Sequence, residues 1–397
     1  MLLVFQSIIV YGLMIWVMTR FGKIAYKNQY PQGFYEVDRF KNKKMTFASL
    51  LTKSYFFIPI FVFCLFSAIR YKVGVDFDAY KRFFYEILNF GRVLDEGAVE
   101  PAFTYIAKFT AIFTDNHYLL FFILAFLQIS FIYYALRKKT YALVYLGLAI
   151  MLNFTYHSLM NGVRQNVVAC AFVAMIPLVL KIKKWPWFIL CVLATALMHK
   201  SAVILLPIGL IVYLILQRGI LSVPIQLVIV AICFIFMDKI DSGYIDSLFM
   251  LGEKSGYSTE KVNAYVEQEL MEKSFGAWAI ISNLAYIITI VYSNKIKLWL
   301  NNDKVYMAMY NLFFLSVCID LLFYNNFGIG RLNLYLKIFQ PVAMSIMLFY
   351  TSIKKNKFDI YIHWGVILIL SIKLISLFFM MAPIIGENTL YKFDLFR

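Results

Sequence analysis

The chain has 397 residues, of which 62% are hydrophobic and 15% are charged, and its mean hydropathy is +0.74. A soluble domain does not need so much apolar surface, so the composition excludes that class and indicates a polytopic helical membrane protein. The formal net charge of +16 would also suit a nucleic-acid-binding protein. The basic residues lie between apolar runs, however, where they set membrane orientation, so nucleic acid is not an expected partner.

Twelve apolar runs predict transmembrane helices within one integral membrane domain, residues 1–397. They lie at 2–19, 47–69, 118–136, 141–157, 160–180, 185–199, 201–217, 221–237, 275–293, 304–323, 332–350 and 359–382. The first run has no basic start and no small-residue cleavage site after it, so we interpret it as a retained span. All five cysteines fall within apolar runs, which gives no indication of a disulfide or zinc framework.

Basic residues occupy alternate connections between these runs, and the positive-inside rule makes those connections cytoplasmic. Both termini and two long segments, 70–117 and 238–274, are then expected outside. The stretch Pro101–Thr114 is apolar but too short to cross a bilayer, and counting it as a span would invert every later connection. We therefore expect it to form a re-entrant or surface helix on the outer face.

Polar residues at the outer end of the fifth run form the first candidate group. Asn161, Arg164 and Gln165 stand at i, i+3 and i+4, and this spacing predicts that they share one helical face. The fork of the arginine suits bidentate contact with a phosphate group. The alternative is an interfacial arginine that snorkels to lipid headgroups.

Carboxylates follow the second run. Arg70 ends that run, and Gly74, Asp76, Asp78 and Tyr80 come next. Two carboxylates after a glycine could act as a general base, as ligands of sugar hydroxyls or as partners of an arginine. An ordinary solvated loop explains the same pattern.

Two further groups lie at the outer ends of spans. Glu100 and Pro101 open the short outer helix, and both residue types are favoured at a helix start for structural reasons alone. His199 and Lys200 interrupt a long apolar stretch near the outer surface. They could serve as a general base and a phosphate ligand, or they could simply form a hydrogen-bonded turn.

The connection after the tenth run holds Asn325, two glycines and Arg331. The arginine stands at the start of a predicted helix, where the helix dipole also favours anions. Asp320 lies one turn inside the preceding span, and an acid within a span is usually paired. Arg331 is therefore its expected partner.

The order of these groups resembles the EpsG/Wzy family of bacterial polysaccharide polymerases. The matching segments are Arg70, Gly74–Tyr80, Glu100–Phe103, Asn161–Gln165, Met198–Ala202 and Arg331. The family pattern usually reads Gly-Thr-Asp, and here Val75 stands in place of the threonine.

The resemblance implies a GT-C-like helical bundle in the bacterial inner membrane, with a glycosyltransferase site on the outer face. It implies transfer of a growing glycan from undecaprenyl diphosphate to a lipid-linked repeat unit, without a cofactor. A flippase and a chain-length regulator are the protein partners it suggests. The alternatives are a flippase or transporter for the same lipid-linked unit, a lipid-linked glycan ligase and a membrane acyltransferase.

The resemblance and the residue types together give each candidate residue a role. The diphosphate ligands are Arg70, Arg164, Arg331 and Lys200, which we expect to converge around one outer cavity. The substrate contacts are Asn161, Gln165, Tyr80 and Asn325. The candidate bases are His199, Asp78, Asp76 and Glu100. Histidine titrates nearest physiological pH, which places His199 slightly ahead of Asp78. The acids are few and dispersed, so no metal is expected.

Overall fold

A computed structural model describes residues 2–31, 46–74, 76–94, 99–237, 277–324, 326–354, 356–376, 378–379 and 390–393. Within these ranges the chain is helical, and the β-structure is limited to an isolated antiparallel bridge between Arg70 and Phe393. The α-helices are α1 (Leu2–Gln29), α2 (Ala48–Thr52), α3 (Ser54–Ala68), α4 (Phe77–Phe90), α5 (Pro101–Ala111), α6 (Tyr118–Leu136), α7 (Leu146–Leu152), α8 (Thr155–Met160), α9 (Val163–Val179), α10 (Trp185–Ala196), α11 (Leu205–Ile211), α12 (Val223–Ile235), α13 (Ala277–Trp299), α14 (Lys304–Leu322), α15 (Phe327–Lys337), α16 (Phe339–Ile353) and α17 (Lys357–Ser376). The predicted all-helical class is confirmed.

In the described part of the chain, four helices are long and apolar enough to cross a membrane: α1, α6, α14 and α17. A fifth crossing results if α15 and α16, which are bent by 40° at their junction, form one broken span. Shorter apolar helices include α3, α9 and α12. These helices are typical of an integral membrane protein, whereas the predicted number of twelve spans and the GT-C likeness stay predictions.

The core is built around α9, in which nearly every side chain is buried. This helix packs against α6, α10 and α15, while α6 packs against α3, and α3 packs against α1. A second buried helix, α16, packs against α13, α14 and α17. Because lipid tails are as apolar as these helix surfaces, close packing rather than hydrophobic burial must hold such helices together. This packing fixes the helix ends that carry the candidate residues.

Two of the predicted spans are interrupted in the structure. Residues 141–157 form part of a 3₁₀ turn, then α7 and α8, and Phe154 between the two helices has a φ of 60°. Residues 201–217 begin in the 3₁₀ turn Lys200–Ile204 and end in the π-helical turn Val212–Leu216. Irregular backbone is tolerated at membrane depth where surrounding protein covers it, and α7 is almost entirely buried. Hydrophobicity alone does not reveal such breaks.

Residues 70–117, the first of the two long segments expected outside, contain two amphipathic helices. In α4 the side chains of Phe83, Phe84 and Ile87 are buried, which gives this helix one apolar face. The expected short helix after Glu100 is present as α5. It leaves Tyr105 and Ile112 more than 70% exposed, which suits a helix that lies against lipid. The second segment, 238–274, lies outside the described residues.

Membrane orientation can be tested with single cysteines and a membrane-impermeant thiol reagent in intact spheroplasts, after the five native cysteines are replaced by alanine. We expect Asp115→Cys, between α5 and α6, to be labelled. We expect Lys183→Cys, between α9 and α10, to be protected, because basic connections are retained in the cytoplasm. Both positions are exposed. The reverse pattern would invert the topology and remove the outer-face assignment of the candidate site.

Candidate active site

The Glu100 carboxylate joins three segments that are far apart in the chain. Its Oε2 forms an ion pair with Nη1 of Arg164, and its Oε1 lies 3.0 Å from Nδ1 of His199. The same Oε1 accepts a hydrogen bond of 3.2 Å from the backbone N–H of Lys200. Glu100 is only 7% exposed, so protein groups rather than bulk water compensate its charge. We call Glu100, Arg164 and His199 the Glu100 cluster.

Helix ends bring this cluster together. Glu100 occupies the N-cap position of α5 in an extended conformation, yet its side chain does not cap its own helix. His199 directly precedes the 3₁₀ turn Lys200–Ile204. The N–H of Ala102 donates to the carbonyl of Leu197 at 3.0 Å, which ties the start of α5 to the chain just before His199. The position of Glu100 at the start of a helix therefore does not explain its contacts, because its side chain also joins α5 to Arg164 and His199.

Arg164 lies in the first turn of α9 beside two aromatic rings. Its Cζ is 5.8 Å from the ring centroids of both Tyr80 and Phe103, within cation–π range. Its backbone N–H lies 3.5 Å from the hydroxyl of Tyr80. The side chain is 16% exposed, so it is held inside the protein and does not snorkel freely to headgroups.

Hydrogen bonds of Asp76 and Asn161 join the loop before α4 to the start of α9. Oδ2 of Asp76 accepts a hydrogen bond of 2.8 Å from the N–H of Gly162, and the N–H of Asp76 donates to Oδ1 of Asn161 at 3.3 Å. Gly162 has a φ of 56°, and Asn166 closes the break between α8 and α9 by donating to the carbonyls of Ser158 and Asn161, each at 2.6 Å. These bonds fix the first turn of α9.

The predicted shared face of Asn161, Arg164 and Gln165 is wrong. The helix begins only at Val163, and Asn161 has an extended backbone. Gln165 is buried and donates from Nε2 to the carbonyl of Arg331 at 2.6 Å, so it contacts the start of α15 rather than the Glu100 cluster.

Arg70 is enclosed by protein. Its side chain is 1% exposed, and its Cζ lies 4.5 Å from the ring centroid of Phe121. Nε donates to the carbonyl of Val73 at 3.1 Å, and Nη1 donates to the carbonyl of Ser67. The observed contacts of Arg70 thus shape the turn that leads to Gly74.

Gly74 is the point at which this turn meets α8. Its φ is 89°, and an added Cβ would lie 2.7 Å from the carbonyl oxygen of Met160. Two residues later, Asp76 reaches Gly162. The close approach of the two backbones therefore sets where this carboxylate stands.

The remaining candidate residues lie outside the Glu100 cluster. Asp78 is exposed and pairs with Lys72 at 3.5 Å, so the structure does not bring this carboxylate to His199. The side chains of Lys200 and Arg331 are exposed. Asn325 lies outside the described residues. Arg70 is enclosed, whereas Arg331 is exposed, and the convergence of these two residues with Arg164 around one outer cavity stays a prediction.

The expected pairing of Asp320 with Arg331 is wrong. Oδ1 of Asp320 lies 2.8 Å from Nζ of Lys337, at the other end of α15. Asn333 and Lys337, one turn apart on α15, both contact Oδ1 of Asp320, so this carboxylate faces the middle and the end of α15 rather than its start.

The partners of Glu100 determine the charge state of its carboxyl group. Burial alone raises the pKa of the Glu100 carboxyl, but the hydrogen bond with His199 and the charge of Arg164 outweigh it and lower this pKa to about 2. Glu100 is therefore ionised at neutral pH, and both of its oxygens are engaged. An ionised carboxylate only accepts hydrogen bonds, so the proton of this hydrogen bond lies on Nδ1 of His199.

Two contributors were missed from the sequence. The side chain of Asn166 donates to the carbonyl of Gly162 and so stabilises the start of α9. The sequence signal for this contact is a polar residue four positions after a glycine. The hydroxyl of Tyr335 lies 2.7 Å from Oγ of Ser201, which ties α15 to the turn that follows His199. A tyrosine within an apolar run carries no signal of this kind.

The Glu100 ion pair predicts a pH-dependent stability difference between the wild type and Glu100→Gln. The folded-state pKa is lowered from 4.5 to about 2, so the carboxylate's stabilising effect is fully present above about pH 4.5 and is lost as the pH falls towards 2. The difference in melting temperature, measured in lipid nanodiscs, should shrink across that range. Asp78→Asn removes an exposed pair and should change stability little at any pH. A pH-independent effect of Glu100→Gln would contradict the assignment.

Gly74→Ala and Gly91→Ala form a matched pair for the loop that positions Asp76. Both glycines have a positive φ, but an added Cβ meets nothing within 4 Å at Gly91. We expect Gly91→Ala to cost about 1 kcal/mol of backbone strain. Gly74→Ala should cost about 1–3 kcal/mol more, since it also overlaps Met160. Equal melting temperatures for the two variants would show that this approach is not tight.

Comparison with known proteins gives one match. The sequence profile of the EpsG family matches residues 53–393, a range that includes every candidate residue named above. No curated protein sequence and no solved structure matches the chain. The chain therefore belongs to the EpsG family, which indicates a membrane protein of the polysaccharide-polymerase type.

Proposed function

We propose that the chain is a glycosyltransferase that polymerises polysaccharide at the outer face of the bacterial cytoplasmic membrane. It transfers a growing glycan from undecaprenyl diphosphate to a terminal hydroxyl of a lipid-linked repeat unit. The hydroxyl oxygen bonds to the anomeric carbon of the donor, and the bond from that carbon to the phosphate oxygen breaks. Undecaprenyl diphosphate leaves with the bonding electrons, and the hydroxyl proton passes to a base on the protein.

The observation that carries this proposal is the Glu100 cluster. One buried carboxylate holds a guanidinium on one oxygen and an imidazole on the other. The reaction needs positive charge where the diphosphate leaves and a proton acceptor where the hydroxyl attacks. Family membership and the position of these residues at helix ends support the same reading.

Arg164 supplies the fixed positive charge in this proposal. Its guanidinium is held by Glu100 and flanked by the rings of Tyr80 and Phe103, so little side-chain entropy is lost when a ligand binds. Only part of its donor set is used by Glu100, because a guanidinium has five N–H groups. Lys200 and Arg331, both exposed, add positive charge at the edge of the site.

His199 is the proposed base. The hydrogen bond from its Nδ1 to Glu100 fixes the ring orientation, so Nε2 is the nitrogen that would take the hydroxyl proton. Glu100 is then a positioning residue, since its oxygens are engaged and its pKa is lowered to about 2. A lowered pKa makes a carboxylate a weak base, so Glu100 is a poorer candidate for the general base than His199.

The other candidates take supporting roles. Asp76 and Asn161 shape the start of α9, and Gln165 fixes the start of α15. Asp78, which is exposed beside Lys72, is available to sugar hydroxyls but lies apart from His199 in the contact network. Arg70 acts through the turn it stabilises rather than through direct contact with the diphosphate.

His199→Ala and Arg164→Lys test the two roles separately in an assay with purified lipid-linked repeat units. We expect His199→Ala to lengthen glycans at least about 100-fold more slowly than the wild type while still binding substrate, because general-base catalysis contributes at least that much. Arg164→Lys keeps the charge but loses the fork, so we expect most activity to be lost together with binding. Near-normal lengthening by either variant would contradict the role given to that residue.

Two controls accompany these variants. Arg137→Lys changes an arginine that also packs on an aromatic ring, that of Tyr134, but stands beyond the far end of α6. It should retain activity. The same assay separates the rival functions, because translocation without lengthening would indicate a flippase and transfer to a different acceptor would indicate a ligase.

A further inference from the structure

A second polar cluster lies between α14, α15 and α16. Oδ1 of Asp320 accepts from Nζ of Lys337 and from Nδ2 of Asn333, each at 2.8 Å. Its Oδ2 accepts from Nε2 of Gln340 at 3.0 Å. Both oxygens of the carboxylate are thus satisfied, and its charge is balanced by one lysine. We call these four residues, together with Lys373, the Asp320 cluster.

Neutral polar groups extend this cluster into the buried part of the bundle. The hydroxyl of Tyr286 lies 2.8 Å from Oε1 of Gln340 and 3.0 Å from Oδ1 of Asn153. Asn153 directly precedes Phe154, the residue with a φ of 60° between α7 and α8. The break in the predicted fourth span therefore places an amide and an aromatic ring beside the cluster.

Lys373 adds a second positive charge. It lies on α17, a helix long and apolar enough to cross a membrane, and its Nζ is 5.0 Å from the ring centroid of Phe154. The charge of Asp320 acts on it, yet within the described residues Lys373 forms neither an ion pair nor a hydrogen bond. Two lysines and one carboxylate leave the Asp320 cluster with a net charge of +1.

This excess charge is not needed by the fold. Asp320 already has Lys337 and two amide donors, so a neutral residue at position 373 would avoid the cost of a charge within a span. The cluster is also reachable, because the side chains of Lys337 and Asp320 are 36% and 29% exposed. Charges that face lipid are costly, so this opening suits a polar ligand better than lipid tails.

Helix α15 separates the Asp320 cluster from the Glu100 cluster. On one side, the carbonyl of Arg331 and the hydroxyl of Tyr335 contact α9 and the turn after His199. On the other side, Asn333 and Lys337 contact Asp320. Residues two positions apart point about 200° apart on a helix, which explains why one helix presents polar groups to both sides. The two clusters are therefore neighbours across a single helix.

We propose that the Asp320 cluster is a second anion site, which binds the phosphate group of a lipid-borne ligand through Lys373 and Lys337. Gln340 and Asn153 supply neutral polar groups beside it, and Asp320 keeps Lys337 in place. This deepens the proposed function and rests on it in one respect: transfer between two lipid carriers requires two phosphate groups to be held at once.

Native mass spectrometry of the full chain in phosphatidylcholine nanodiscs tests the site, with farnesyl diphosphate as the lipid-borne probe. We expect the wild type to retain two molecules, Lys373→Gln to retain one, and Lys373→Arg to retain two. The matched control is Lys354→Gln, which removes a lysine that also lies over an aromatic ring, 4.7 Å from that of Tyr350, just after the end of α16. It should behave as the wild type. Lys373→Met is the second variant if Lys373→Gln does not fold.

The number of farnesyl diphosphate molecules that each variant retains either supports or overturns the proposed site. Equal retention by the wild type and Lys373→Gln overturns the site, as does a wild type that retains none. One molecule on the wild type and none on Lys373→Gln supports the site, but contradicts the role of Arg164 in the proposed function. Competition by inorganic pyrophosphate as strong as that by farnesyl diphosphate would identify free phosphate as the source, whereas much weaker competition would identify the lipid.

Discussion

The ion pair between Glu100 and Arg164 is the interaction on which the arrangement of the candidate site depends. It joins the start of α5 to the start of α9, and the same carboxylate holds the turn at His199. Replacing a buried pair by apolar groups often costs little, but removing one partner costs about 3–5 kcal/mol, because the other charge is left without compensation. The pair is therefore better understood as a device that fixes three segments in one arrangement than as a source of net stability.

In the proposed reaction, the two polar clusters lie at different places and have different roles. The Glu100 cluster contains the proposed base, His199, whose imidazole is held through Nδ1. The Asp320 cluster contains no such group, but it has more positive charge than its own carboxylate balances. A reaction that joins two lipid-borne molecules needs catalytic groups at one of them and only anchorage at the other. Two unequal clusters, with α15 between them, match that requirement.

The sequence was informative wherever a single element determined the outcome. The apolar runs predict helices, and Pro101 marks the start of α5. The clustering of functional residue types at the outer ends of spans also brought Glu100, Arg164 and His199 into consideration together. Each of these inferences depends on local periodicity or on the side of the membrane, and both can be read from one chain.

The sequence was misleading wherever partners from different elements competed. The sequence predicts Asn161 on a helical face, because nothing local shows that α9 begins only two residues later, at Val163. An arginine that donates to backbone carbonyls, as Arg70 does, has the same sequence signature as one that binds phosphate, so the ligand role of Arg70 stays a prediction. The sequence pairs Asp320 with the nearest following arginine, but in the folded chain Lys337 contacts it instead. These outcomes are set by tertiary packing.

The exposed apolar face of α5 has a consequence for how this protein is handled. Tyr105, Phe109 and Ile112 lie on the outside of a helix whose first turn adjoins Glu100. If that face rests in the lipid surface, a change in membrane thickness shifts α5 and, with it, the Glu100 carboxylate. Acyl-chain length then acts on the enzyme as an effector would, and a detergent micelle, which has no flat surface of defined depth, is not an equivalent solvent.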